Sequence, residues 1–269
     1  MADEQTADEQ AAPDPKADRA LGKMSFMDHL GELRTRIMWS LVAAGIGLLI
    51  AFFITDPVMR FISRPLIRMK TDLVFTSPTE AFWTWMKVAM VLGIFISMPG
   101  ILVQVWKFVS PGLHEHEKKY AAPFIIVGSL LFLAGGAFAM LVIIPYASTF
   151  LVTFGQEKGW KAMLTVSSYT DFVIKFALAF GLVFELPVVI TILSLIGVVT
   201  PQFLSKNRKY AVLINFIVAA ILTPTPDIIN QTLMAGPLCI LYEIGIICAR
   251  LATRNRKIVA PPAGTASTP

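Results

Sequence analysis

Apolar positions along this chain gather into runs, separated by short segments where charges and prolines collect. About 20 apolar residues suffice to carry a helix across a bilayer. Four runs reach or approach that length, at residues 37–54, 82–105, 121–146 and 169–198. Two shorter runs follow at 210–222 and 233–248. At 1.5 Å per residue they give roughly 20 and 24 Å of helix against a hydrocarbon core of about 30 Å. That hairpin either thins the bilayer locally or is re-entrant, and in both cases its ends emerge on one side. The pattern predicts an all-α integral membrane protein with six transmembrane helices and both termini on the same side.

The segments between the runs fill in the topology. Residues 1–23 hold Asp3, Glu4, Asp8, Glu9, Asp14 and Asp18 in an Ala- and Pro-rich setting, which predicts a disordered, uncleaved acidic tail and no secretory signal. Residues 24–36 place Phe26, Met27, Leu30 and Leu33 at helical spacing, as in an amphipathic helix at a membrane surface. The first span should close at Asp56-Pro57, and residues 58–70, with Arg60, Arg64, Pro65, Arg68 and Lys70, should lie on the opposite surface. Trp83 and Trp85 at one end of the second span and Trp106 at the other read as interface anchors, and Pro99 should kink it. Loops are expected at 107–120 and 147–168. The division is a tail at 1–23, a membrane domain at 24–250 and a C-terminal tail at 251–269.

Composition agrees: 55% of the 269 residues are apolar and only 15% charged, against roughly 25% charged in soluble domains. The net charge of +5 brings no dense basic patch with interleaved aromatics, so nucleic acid is not the expected partner. Of the 23 Lys and Arg residues, most lie in the N-terminal segment, around 107–120, around 200–210 and in the C-terminal tail. The positive-inside rule then places both termini in the cytoplasm.

Few residues could carry chemistry. Gly155–Lys161 lacks the spacing of a phosphate-binding loop, so no nucleotide drives this chain directly. His114-Glu115-His116-Glu117 is not a zinc motif, and Cys239 and Cys248, nine residues apart on one helix, can form no internal disulfide. No cofactor or metal is expected. Glu185 and Glu243 fall inside apolar spans, where a mid-bilayer carboxylate costs about 2.5–3.5 kcal/mol unless it faces protein or water. Glu185, two residues before Pro187, reads either as a polar helix contact or as a hydrated point of a groove, and Glu243 is within reach of Arg250 or the headgroups. At the basic surface, Glu32, Arg34, Phe108, Glu115 and Glu117 read either as ordinary surface charge or as a site that holds an arginine bidentately.

Four motifs in order carry a resemblance: residues 29–34 (HLGELR), 104–113 (QVWKFVSPGL) followed by His116-Glu117, 180–187 (FGLVFELP), and 222–227 (LTPTPD) with Gln231-Thr232. Over about residues 24–250 the chain resembles TatC, the multispanning receptor subunit of the twin-arginine protein translocase. The resemblance implies a six-helix, glove-shaped receptor in the bacterial cytoplasmic membrane. Such a receptor binds twin-arginine signal peptides of folded cargo, assembles with TatB-like and TatA-like single-span subunits and with further copies of itself, and draws on the proton-motive force. Carried over to this sequence, Glu32 and Glu117 look like the carboxylates that hold the arginine pair, with Arg34 and Phe108 shaping the same site. Glu185 looks like the family's intramembrane glutamate, lining the concave face. Thr223, Pro226, Asp227 and Gln231 look like the polar cluster where a partner helix docks. A carboxylate pair also selects arginine over lysine, because a guanidinium forks onto two oxygens and an ammonium does not.

Two other classes compete. A proton-coupled small-solute transporter would use Glu185 as its site and predicts repeated halves, which this sequence lacks. An intramembrane protease needs a Ser/His or two-Asp arrangement inside the spans, and none of the spans carries a deep His or Asp.

Overall fold

The computed structural model describes residues 26–69, 71, 73–112, 120–223 and 228–254. Its elements are helix α1 (Phe26–Arg68), strand β1 (Leu73–Val74), α2 (Pro78–Val109), a 3-10 turn (Ser110–Gly112), α3 (Ala121–Phe138), a π-helical segment (Ala139–Ile143), α4 (Ile144–Glu157), strand β2 (Leu164–Thr165), α5 (Val166–Phe184), α6 (Leu186–Ile196), α7 (Pro201–Lys206), α8 (Arg208–Leu222) and α9 (Ile228–Thr253). Five helical stretches among the described residues are long and apolar enough to cross a membrane, at His29–Ile67, Pro78–Gly112, Ala121–Glu157, Val166–Ile196 and Gln231–Thr253. The remaining apolar helix, α8, has 15 residues, about 22 Å at the α-helical rise.

Several boundaries differ from the sequence expectation. The first helix does not end at Asp56-Pro57. It runs unbroken from Phe26 to Arg68 with Pro57 and Pro65 inside it, so residues 26–36 and 58–68 are extensions of the span and not separate surface segments. Proline removes one backbone donor, a loss that surrounding contacts can outweigh in a packed membrane helix. Ile62 and Leu66 are buried, and the Tyr169 hydroxyl donates to the Ile62 carbonyl at 3.1 Å. The third span likewise continues through the π segment to Glu157, so the expected loop at 147–168 shrinks to the residues around β2. The fourth is interrupted at Glu185: Pro187 stands in the first turn of α6, has no N–H to donate, and the helix restarts there. Pro99 lies within α2 without ending it.

Lipid tails are as apolar as leucine, so helices in a bilayer associate through close packing and polar contacts more than through a hydrophobic drive. Glycine supplies that closeness at two crossings. A Cβ on Gly47 of α1 would run into the backbone oxygen of Gly93 on α2, and one on Gly135 of α3 would run into the backbone oxygen of Phe180 on α5. Around the second crossing, Phe138 stacks near Phe180 and Phe184, with ring centroids 5.5 and 5.7 Å apart. The core continues through Val173, Phe176, Ile143, Ile144, Met234 and Leu238. The outward faces stay apolar: Trp39, Leu49 and Phe53 of α1 are 56, 64 and 87% exposed, which suits lipid and not water. Helix α9 packs on α6 and α8, and α8 on α9.

A polar cap closes the end of the bundle where α5 begins. Strands β1 and β2 pair in parallel, Leu73 with Leu164 and Val74 with Thr165. Glu80 accepts from the Thr76 and Ser167 backbone N–H groups at 2.7 and 3.0 Å, Trp85 donates to Asp56 at 2.7 Å, and Lys87 pairs with Asp171 at 2.7 Å. The Lys87–Asp171 pair is half-exposed, so Lys87→Ala should lower stability by no more than about 1 kcal/mol. The swap of Lys87→Asp with Asp171→Lys should recover most of that loss in thermal melts of the detergent-solubilised protein. A swap that melts lower than either single variant would show that the pair is not what matters there.

Candidate functional site

The opposite end of the bundle joins the first turns of α1 to the last turns of α2. The His29 ring stacks on Phe108 with centroids 4.5 Å apart and planes 23° from parallel. One turn along α1, the Arg36 guanidinium donates through one terminal nitrogen to Glu32 Oε1 at 2.9 Å, an i,i+4 pair on one helix face. Both side chains are largely enclosed, at 28 and 15% exposure.

This corner is short of hydrogen bonds. Among the described residues seven buried side-chain polar atoms have no partner; Glu32 Oε2 and Arg36 Nε are two of them, and Gln104 Oε1, one turn before Phe108 on α2, is a third. Buried polar atoms are nearly always satisfied by protein or ordered water, so these atoms are available to a further partner. Glu32 Oε1 is taken by Arg36 and Oε2 has no partner, so the carboxylate has room for one further donor.

The sequence-based residues distribute as follows. Glu32 lies in the first turns of α1 and Phe108 in the last turns of α2, which His29 joins by stacking on Phe108. Arg34 does not share their face: two residues from Glu32, it stands on the other side of α1 and is exposed. Glu117, Pro226 and Asp227 lie outside the described residues, as do Glu115, His114 and His116. Arg36 and Gln104 are functional candidates that reading the sequence for loop carboxylates passed over. The Glu32/Arg36 spacing of four was the available signal.

Glu185 sits at the junction of α5 and α6 and is 5% exposed, so its carboxyl group is largely enclosed by the chain. A Cβ on Gly128 of α3 would stand 3.2 Å from Glu185 Oε2, and Oε1 has no partner. Glu243 pairs at 2.7 Å with Arg208 on α8 and not with Arg250, whose guanidinium meets the Ser205 hydroxyl. Thr223 is buried and its hydroxyl donates back to the Ala219 carbonyl at 2.6 Å. The Gln231 amide donates to the Phe216 carbonyl at 3.1 Å, so both residues tie α8 to itself and to α9. Beside them a recess of about 710 Å³ opens between α5 and α8, lined by Ser168, Asp171, Lys175, Phe176, Ile221 and Thr223. Among the described residues no group of three His, Cys, Asp or Glu side chains could hold a metal, and Cys239 and Cys248 are free thiols.

The chain is similar to known proteins over most of its length. The family model described as Sec-independent protein translocase protein (TatC) matches residues 28–237. The Sec-independent protein translocase protein TatC of Carboxydothermus hydrogenoformans is 44% identical over 227 residues, covering 84% of this chain and 93% of that protein. TatC of Aquifex aeolicus is 38% identical over 237 residues, covering 87 and 98%. A crystal structure of the twin-arginine translocase receptor TatC superposes with a TM-score of 0.70 at 39% identity, covering 84% of this chain and all of that one.

Proposed function

Since the chain belongs to the TatC family of Sec-independent protein translocase proteins, we propose that the corner formed by Glu32 and Phe108 is where it receives the arginine pair of a signal peptide. The protein is a multi-pass membrane receptor subunit of the twin-arginine translocase, and its work is recognition and assembly, not enzymatic catalysis. In this reading Glu32 and Glu117 each take one guanidinium, a fork onto two oxygens that lysine cannot match. The observation that carries it is the enclosed Glu32 carboxylate with one oxygen unpartnered, one turn along α1 from His29, whose ring stacks on Phe108.

The rest of the arrangement follows from that assignment. The end of the bundle holding Glu32 faces the cytoplasm, where unexported cargo is found, and both termini lie on that side of a bacterial inner membrane. Helix α8 completes six crossings, and its shortness thins the bilayer beside α9. Single-span TatB-like and TatA-like subunits dock along the face of α5 and α8, near Thr223 and Gln231, with Pro226 and Asp227, which lie between these two in sequence, joining the contact, and copies of the receptor associate with one another.

Photocrosslinking tests the site. A crosslinker at position 117 of the full chain in membranes should capture a twin-arginine signal peptide and fail to capture the twin-lysine version. Equal capture of both peptides, or of neither, removes the assignment.

A further inference from the structure

Reading the Glu32 corner as the arginine site leaves Arg36 to be explained, because the chain's own guanidinium already sits on the carboxylate that the signal peptide needs. The helix register shows where that guanidinium could go. Residues 29, 36 and 43 recur at seven-residue intervals on one face of α1, and 100, 104 and 108 at four-residue intervals on one face of α2. The outer members of these rows meet: His29 stacks on Phe108, and the Ala43 side chain stands 3.1 Å from where a Cβ on Gly100 would be. Arg36 and Gln104 are the middle members, so both lie between these two contacts on the facing rows. Each carries an orphan of complementary kind, the Arg36 Nε–H donor and the Gln104 Oε1 acceptor.

We propose that Arg36 is a positioning residue that stands in for the signal peptide's arginine, holding Glu32 while the site is empty and transferring to Gln104 when the ligand takes the carboxylate. This rests on the assignment of Glu32 as a signal-peptide carboxylate. Exchange satisfies the two orphans only in the bound state, when Nε–H of Arg36 reaches Gln104 Oε1 and the incoming guanidinium forks onto both oxygens of Glu32. The empty state is closed to weak cations because one charge-assisted bond must be given up to admit another. The net affinity then depends on how well Gln104 receives the displaced side chain, as for any ligand that binds only one of two states.

The test is a double-mutant cycle on the full chain in nanodiscs, read as the Kd of a labelled twin-arginine signal peptide. Arg36→Gln should bind about tenfold more tightly than the parent, because the internal competitor is gone. Gln104→Leu should bind about fivefold more weakly in the parent, yet change binding less than twofold when combined with Arg36→Gln, since its partner is then absent. Lys107→Gln removes an exposed neighbouring charge of the same sign and sets the gain expected from field effects alone. Weaker binding by Arg36→Gln, a gain no larger than that of Lys107→Gln, or an undiminished Gln104→Leu effect in the double variant would overturn the exchange. Glu32→Gln separates the two readings. If it abolishes binding while the cycle shows no coupling, the site stands and the exchange falls; if it leaves binding intact, both fall.

Discussion

Charge reversal at Glu117 should abolish binding of a twin-arginine signal peptide while membrane insertion and assembly of the helices proceed as before. Glu32 alone offers one fork acceptor, and it is contested by Arg36 at 2.9 Å, so the second arginine depends on a second carboxylate. Truncating one partner of a desolvated, hydrogen-bonded charge pair costs about 2–5 kcal/mol in protein interfaces, and a lysine at 117 adds repulsion against both guanidinium groups. A loss of at least about 100-fold in Kd is expected, since each 1.4 kcal/mol is a factor of ten. Glu117→Gln keeps the shape and loses the charge, so it should fall between the parent and the reversal. Fluorescence anisotropy with a labelled signal peptide measures all three. Parent-like binding by the reversal would remove residue 117 from the site, whatever happens at Glu32.

The second large effect concerns assembly of the bundle. Gly135→Ala should lower stability by about 1–3 kcal/mol, the range for overpacking a well-packed contact. The added methyl meets backbone, not a movable side chain: the Phe180 carbonyl carbon lies 2.8 Å from the new Cβ position. Helices α3 and α5 would have to separate, and the Phe138, Phe180 and Phe184 contacts with them. Gly155 on α4 is the control, because nothing lies within 4 Å of a Cβ there and alanine is the better helix former. Melting of the detergent-solubilised variants should put Gly135→Ala below the parent and Gly155→Ala level with it or above. Equal melting of the two variants would mean that the α3–α5 crossing has slack that the backbone geometry does not indicate.

The pattern of apolar runs located the membrane helices but misjudged where they stop. Asp56-Pro57 reads as a terminator, yet α1 continues because Ile62 and Leu66 are buried by residues far along the chain and Tyr169, more than 100 positions away, bonds the Ile62 carbonyl. The run at 169–198 reads as one continuous span, yet the helix ends at Phe184 and restarts at Leu186, where Pro187 has no N–H to donate beside the buried Glu185. Glu243 shows the limit of reasoning along one helix. Arg250 is the neighbour in sequence, but Arg208 is the neighbour in space because α8 lies against α9.

The recognition corner divides in the same way. Glu32 and Phe108 are legible in the sequence through the motifs at 29–34 and 104–113 that carry the family resemblance; charge pattern alone leaves them open between a site and ordinary surface charge. That Arg36 occupies Glu32 and that His29 stacks on Phe108 are contacts that the folded helices make, the second of them set by how α1 crosses α2. The length and hydropathy of each run are properties of the chain alone, matched to the thickness of a bilayer, so the sequence by itself determined the membrane helices and the family. Which side chains meet between helices was decided only by the tertiary structure, because crossing geometry is set by contacts such as Gly47 on Gly93 that no single segment contains.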